Sequence, residues 1–119
     1  MPNRTKLPQT RESITHKVVI GGSVDIYIIV GLYKDGTPGE VFAKINSEVT
    51  PMLDQWCRAV SILLQNGHTT KDLVRWFGFA KYGPSGFTDN PEIRNAHSPT
   101  DYIVRWMDKQ FSKLTKQGE

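Results

Sequence analysis

The chain has 119 residues, 38% hydrophobic and 23% charged, with a formal net charge of +3, which suits one globular domain with one core and excludes a disordered chain. Its single cysteine, Cys57, excludes an internal disulfide and a CxxC redox pair. The longest apolar stretch, Val24–Tyr33, is interrupted by Asp25 and is too short to span a bilayer.

Residues 1–13 are polar, carry Pro2 and Pro8, and read as an extended N-terminal arm rather than a signal peptide. With no address, the expected compartment is the cytosol. Residues 14–119 read as a single domain. Thr15–Ile20 is β-rich, Gly21-Gly22-Ser23 is a turn, and Val24–Tyr33 is a β-branched and aromatic run. Lys34–Gly39 is a second turn, and Asp35-Gly36 is a hairpin signal because glycine accepts positive φ. In Glu40–Ile45, Val41, Ala43 and Ile45 alternate with polar or charged neighbours, as in a half-buried strand. These runs predict a three-strand antiparallel meander.

Beyond Asn46 the period becomes helical. Thr50 is the expected N-cap, with Pro51 at the first helical position. Met52, Leu53, Trp56, Val60, Leu63 and Leu64 fall on one face, and Gly67 is the expected stop. Cys57 lies in this apolar stretch and reads as a small core residue, with a nucleophile or ligand role as the alternative. Thr69 and Asp72 resemble a capping box opening a shorter helix that runs to about Phe77. Residues 78–91 are a loop rich in Gly, Pro and Asn. Ser98 then caps a last helix, with Asp101 at its third position and Tyr102, Ile103, Trp106, Met107, Phe111 and Leu114 on its apolar side. Lys109, Lys113 and Lys116 suit its polar face and C-terminal end. The expected fold is α+β: a small antiparallel sheet, two longer helices and one shorter one.

The residues offer little catalytic chemistry. His16, His68 and His97 are scattered, and one cysteine adds too little for a zinc site, so no metal and no cofactor is expected. GxSxG, GxGxxG and Walker A patterns are absent. The loop Lys81–Asn95 is richer. It combines Gly83, Ser85, Gly86, Thr88 and Asn90 with Lys81 and Arg94, beside the aromatics Phe79, Tyr82 and Phe87. Turn N–H groups can form an anion nest, and aromatics beside cations can stack bases. The alternative is a surface loop whose aromatics plug the core. Arg58 and Arg105, each on an apolar helix, either reach a phosphate or pair with a nearby carboxylate.

Several ordered blocks resemble the TSCPD domain, best known near the C-terminus of adenosylcobalamin-dependent ribonucleotide reductases. They are Arg4-x-x-Leu7-Pro8-x-x-Arg11, Thr15-x-Lys17, Gly31-x-Tyr33-x-Asp35-Gly36-x-x-Gly39-Glu40-Val41-Phe42, Gly83-Pro84-Ser85-Gly86 and Ile93-x-x-Ala96-x-Ser98-x-x-Asp101-Tyr102-Ile103. The 119 residues carry no reductase barrel and no CxxC pair, so ribonucleotide reduction by this chain alone is not expected. Stand-alone phage proteins of similar appearance include the Thoeris anti-defence type-1 sponges. That resemblance implies a cytoplasmic protein of an infected bacterial host that sequesters cyclic nucleotide immune signals without cleaving them. The signals are cyclic ADP-ribose isomers from TIR enzymes, and also CBASS cyclic oligonucleotides.

The resemblance also implies a homo-oligomer, up to a hexamer, with ligand between subunits. The expected ligand-binding set is Arg58, Phe79, Tyr82, Phe87, Thr88, Asn90, Arg94 and Arg105. A second set for cyclic oligonucleotides is Arg11, Lys17, Ser98 and Thr100, which a symmetric site would repeat once per subunit. Membrane and long nucleic acid are not expected partners. The competing expectation is an interaction module that serves an adenosylcobalamin-dependent ribonucleotide reductase.

Overall fold

The computed structural model describes residues 5–47 and 49–117, with side chains described up to residue 112. The element order is β1 (Ser13–Ile20), β2 (Val24–Leu32), β3 (Pro38–Ile45), α1 (Thr50–Gln65), α2 (Thr70–Phe77), β4 (Gly86–Phe87), β5 (Asn95–Ala96) and α3 (Pro99–Gln117). The fold is α+β, as the patterning predicts. β1, β2 and β3 form an antiparallel sheet in sequence order, with Lys17 opposite Tyr27 and Tyr27 opposite Lys44. β4 and β5 form a second pair within the segment that patterning reads as loop.

Strand alternation divides the residues between two faces. Val18, Ile20, Ile26, Ile28, Val30, Val41, Ala43 and Ile45 are buried beneath the helices. Leu53, Cys57, Val60 and Leu64 of α1 meet them, joined by Tyr102, Ile103, Met107 and Phe111 of α3. The opposite face carries Lys17, Tyr27, Phe42 and Lys44, which are exposed.

The block Gly31–Phe42, which spans the β2–β3 hairpin, clamps the N-terminal arm. A Cβ on Gly31 would lie 2.1 Å from a Glu40 carboxylate oxygen, so glycine there makes room for that side chain. Arg11 forks onto the same carboxylate at 2.6 and 3.0 Å. A Cβ on Gly39 would meet Leu7 and the Tyr33 ring at 2.7 Å, and the Tyr33 hydroxyl donates to the Thr5 carbonyl at 2.6 Å. Arm and hairpin are thus packed as one constellation.

Helix ends follow the patterning with one correction. Thr69 and Asp72 complete a capping box. Gly67, at φ +92°, closes α1 as His68 N–H reaches the Leu63 carbonyl and Gly67 N–H reaches Leu64. Thr50, however, is not the N-cap. Val49 holds that position without a side-chain cap, because the Thr50 hydroxyl is turned back toward the carbonyls of Ile45 and Ser47 at 2.8 and 2.7 Å. Met52 also leaves the apolar face and is 75% exposed. Leu114, Lys113 and Lys116 have side chains outside those described.

α1 runs along the outer edge of β3. Cys57, Ser61 and Gln65, each four residues apart, meet β3 backbone at Ala43, Val41 and Gly39. Val41 N–H donates to Ser61 Oγ at 2.9 Å, and Gln65 Nε2 donates to the Gly39 carbonyl at 2.9 Å. Burial pushes the Cys57 thiol up to about 12, helped by the Asp54 charge and opposed by the Ala43 N–H. Cys57 is a core residue, not an activated nucleophile.

Candidate functional site

The loop from Gly78 to His97 is built on the start of α3. Ser98 caps that helix, its hydroxyl accepting the Asp101 N–H at 3.1 Å. The Asp101 carboxylate is fully buried. It accepts the N–H of Phe79 at 2.6 Å and of His97 at 2.9 Å, and is forked by Arg105 at 2.9 and 2.8 Å. Burial alone would raise its pKa, but Arg105 and the two N–H groups hold it below the ordinary carboxylate value. Phe79 adopts a positive φ of 65°, and its half-exposed ring lies 4.9 Å from the Arg105 guanidinium. Arg105 also donates to the Asn95 carbonyl. Of the two roles open to Arg105, the structure therefore shows pairing with a carboxylate.

Thr88 and Asn90 are likewise committed internally. Thr88 Oγ1 donates to the Ile93 carbonyl and accepts the Asn90 N–H at 3.1 Å. Asn90 Nδ2 donates to the Tyr102 hydroxyl at 2.9 Å, and Asn90 Oδ1 accepts the Glu92 N–H at 3.0 Å. Tyr102 also meets His16 Nε2 at 2.8 Å, and the His16 ring stacks on Trp106 with centroids 4.6 Å apart. The segment is fastened to the edge of β1: Gly21 N–H donates to the Phe87 carbonyl at 2.7 Å, and Val19 exchanges backbone and side-chain bonds with Asp89.

What the loop leaves open is a hollow of about 390 Å³ lined by Lys81, Tyr82, Gly83, Ser85, Gly86, Asn95, Ala96 and His97. That volume is within the range of small-molecule sites. Among the described residues, the side chains of Lys81, Ser85 and His97 make no hydrogen bond or ion pair. Tyr82 is 40% exposed, its hydroxyl fixed at 2.9 Å by Thr100 Oγ1. The arrangement offers a cation, neutral donors and an oriented ring, suited to an anionic aromatic ligand.

The expected ligand set is thus divided. Tyr82 lines the hollow. Phe87, 66% exposed, lies over the Gly21-Gly22 turn, where its ring tip would be 3.5 Å from a Cβ on Gly22. Arg94 is exposed, and its carbonyl accepts the Thr88 N–H. Arg58 lies elsewhere, in a groove of about 910 Å³ between β3 and α1. The second set does not converge within one chain: Arg11 is paired with Glu40, Lys17 is on the sheet face opposite α3, Ser98 is a buried cap, and Thr100 is buried against Tyr82. His97 is the lining residue that patterning overlooks, since a lone histidine before a helix cap carries no spacing signal. A further concavity of about 810 Å³ lies between the arm, the 33–38 turn and the α1–α2 junction.

Comparison with known proteins places the chain. The TSCPD domain profile matches residues 3–111, and the chain belongs to that family. It is 42% identical over 113 residues to a vitamin B12-dependent ribonucleotide reductase of Rhodopirellula baltica, covering 92% of this chain and 11% of that protein. A reductase of the same name from Streptantibioticus cattleyicolor is 36% identical, with 92% and 19% covered. One from Agrobacterium fabrum is 35% identical, with 86% and 8% covered. The chain therefore spans at most about a fifth of the length of these relatives. No solved structure matches it significantly.

Proposed function

We propose that this chain binds a cyclic nucleotide of the cyclic ADP-ribose or cyclic oligonucleotide class in the hollow beside Tyr82 and holds it without cleaving it. One observation carries this reading: among the described residues, the side chains of Lys81, Ser85 and His97 make no hydrogen bond or ion pair around an oriented, half-exposed tyrosine ring, and the His97 ring meets the Phe79 ring. Lys81 neutralises phosphate, the ring receives the base, and Ser85 and His97 meet ribose or phosphate oxygens. The buried Asp101–Arg105 pair positions the wall rather than touching ligand. A second copy of the chain would close the open side. Calorimetry with cyclic ADP-ribose isomers and with cyclic oligonucleotides tests the proposal. Binding should weaken about tenfold in Tyr82→Ala, the scale of one lost base stack, and ligand should be recovered intact after denaturation. Absence of heat with both ligand classes would sink it.

A second reading rests on the relatives. Identity of 42% across nearly the whole chain to one segment of a B12-dependent ribonucleotide reductase supports a module that assembles with such an enzyme. Co-purification with a reductase lacking its own copy of the segment favours this reading, and indifference to that enzyme counts against it.

A further inference from the structure

Among the described residues no helix covers the outer face of the sheet, whose side chains form an ordered array. Across the strands, one row reads Lys17, Tyr27, Lys44, and the next reads Thr15, Ile29, Phe42. Tyr27 is 41% exposed and Phe42 52% exposed, so two aromatic rings stand as diagonal neighbours on an open surface. Diagonal cross-strand neighbours lie about 7–8 Å apart. Lys17 Nζ is 5.7 Å from the Tyr27 ring centroid. Among the described residues, Lys17, Lys44 and Arg58 make no ion pair. Phe42 and Lys44 also line the β3–α1 groove together with Arg58, so the cationic array turns the sheet edge and continues along α1.

Three carboxylates must be set against these cations. Glu40 is neutralised by Arg11, Asp54 lines the groove, and Asp25 stands on the same face, opposite Val19 in the row beside Lys17 and Tyr27. Lys17, Lys44 and Arg58 outnumber Asp25 and Asp54, so the array keeps a net positive charge. An anionic partner with flat apolar faces answers both the charge and the exposed rings.

We infer that the outer face formed by Lys17, Tyr27, Phe42 and Lys44, extended by Arg58, is a stacking platform for single-stranded nucleic acid. Bases lie on Tyr27 and Phe42, while the lysines and Arg58 follow the phosphates. Sequence patterning does not favour this partner class, because strand register brings Lys17, Tyr27, Phe42 and Lys44 together and the packing of α1 on β3 adds Arg58. The platform is independent of the hollow beside Tyr82.

Fluorescence anisotropy with labelled oligo-dT and oligo-U of about ten nucleotides tests it. Either oligonucleotide should bind with Kd of roughly 10–100 µM, and affinity should fall with salt with a log–log slope of about −2, from three cations at about −0.7 each. Tyr27→Ala and Phe42→Ala should each weaken binding about tenfold, Tyr27→Phe should retain it, and Lys44→Glu should flatten the salt dependence. Circular dichroism confirms that each variant is folded. Tyr82→Ala should leave oligonucleotide binding unchanged, which separates this proposal from the cyclic nucleotide reading. The inference is overturned if neither oligonucleotide binds at about 100 µM protein or if binding survives both aromatic replacements. It is also overturned if those replacements dissociate an oligomer in light scattering while no oligonucleotide binds.

Discussion

Asp101 shows how one side chain can decide what its neighbours are free to do. Its carboxylate takes two loop N–H groups and the Arg105 fork, all within 2.9 Å. Asp101→Asn would leave Arg105 half-buried without its counter-charge and turn one acceptor into a donor facing other donors. Breaking a buried pair from one side costs about 3–5 kcal/mol, so this variant should melt well below the parent in a thermal scan. His16 supplies a second test. Burial lowers its pKa from the ordinary 6.5, against a smaller opposing effect of the Asp89 charge. The unfolded chain therefore binds the proton more readily, and stability present above pH 6.5 is lost as pH falls below it. Asp101, also held below its ordinary 3.8, adds a later loss in the acid range below that value. Midpoints measured against pH should fall in two stages. His16→Phe, which keeps the stacking partner of Trp106, should remove the first stage; persistence of that stage would assign it to another group.

At the scale of elements, local signals were legible and long-range ones were not. The capping box at Thr69 and Asp72 and the glycine closure at Gly67 involve residues within one turn of each other, so the sequence displays them. The Thr50 hydroxyl instead answers to carbonyls at the end of β3, a demand that helix patterning cannot express. β4 and β5 were hidden for the same reason: two-residue strands have no period, and they exist because the loop pairs across itself and against β1. Ser61 illustrates the cost of such long-range bonds. Its hydroxyl is the acceptor for Val41 N–H at 2.9 Å. Ser61→Ala should destabilise by about 1–3 kcal/mol, the penalty for a buried donor left without a partner, measurable by urea unfolding. A variant as stable as the parent would show that water replaces the hydroxyl.

For the whole molecule, the strand order, the helix faces and the family were readable because each rests on periodicity or an ordered run of residues. The hairpin block Gly31–Phe42 is explained by packing: glycines admit Glu40 and Tyr33, and these hold the arm. The candidate site was only partly readable. Of the residues expected to bind ligand, Tyr82 borders the hollow, whereas Thr88, Asn90, Arg105 and Ser98 hydrogen-bond within the fold. Residue type alone cannot distinguish a donor offered to a ligand from one spent on the fold. That distinction requires the partner, which is often far away in sequence, as Tyr102 is from His16.

The side chains of α1 laid along β3 have a consequence for how the chain behaves in a crowd. A sheet edge with unspent backbone groups invites another strand and can start a fibre. Here Cys57, Ser61 and Gln65 occupy one border, while Gly21 with Phe87 and Val19 with Asp89 close the end of the other. Open-ended strand addition is thereby blocked at β3 and shortened at β1.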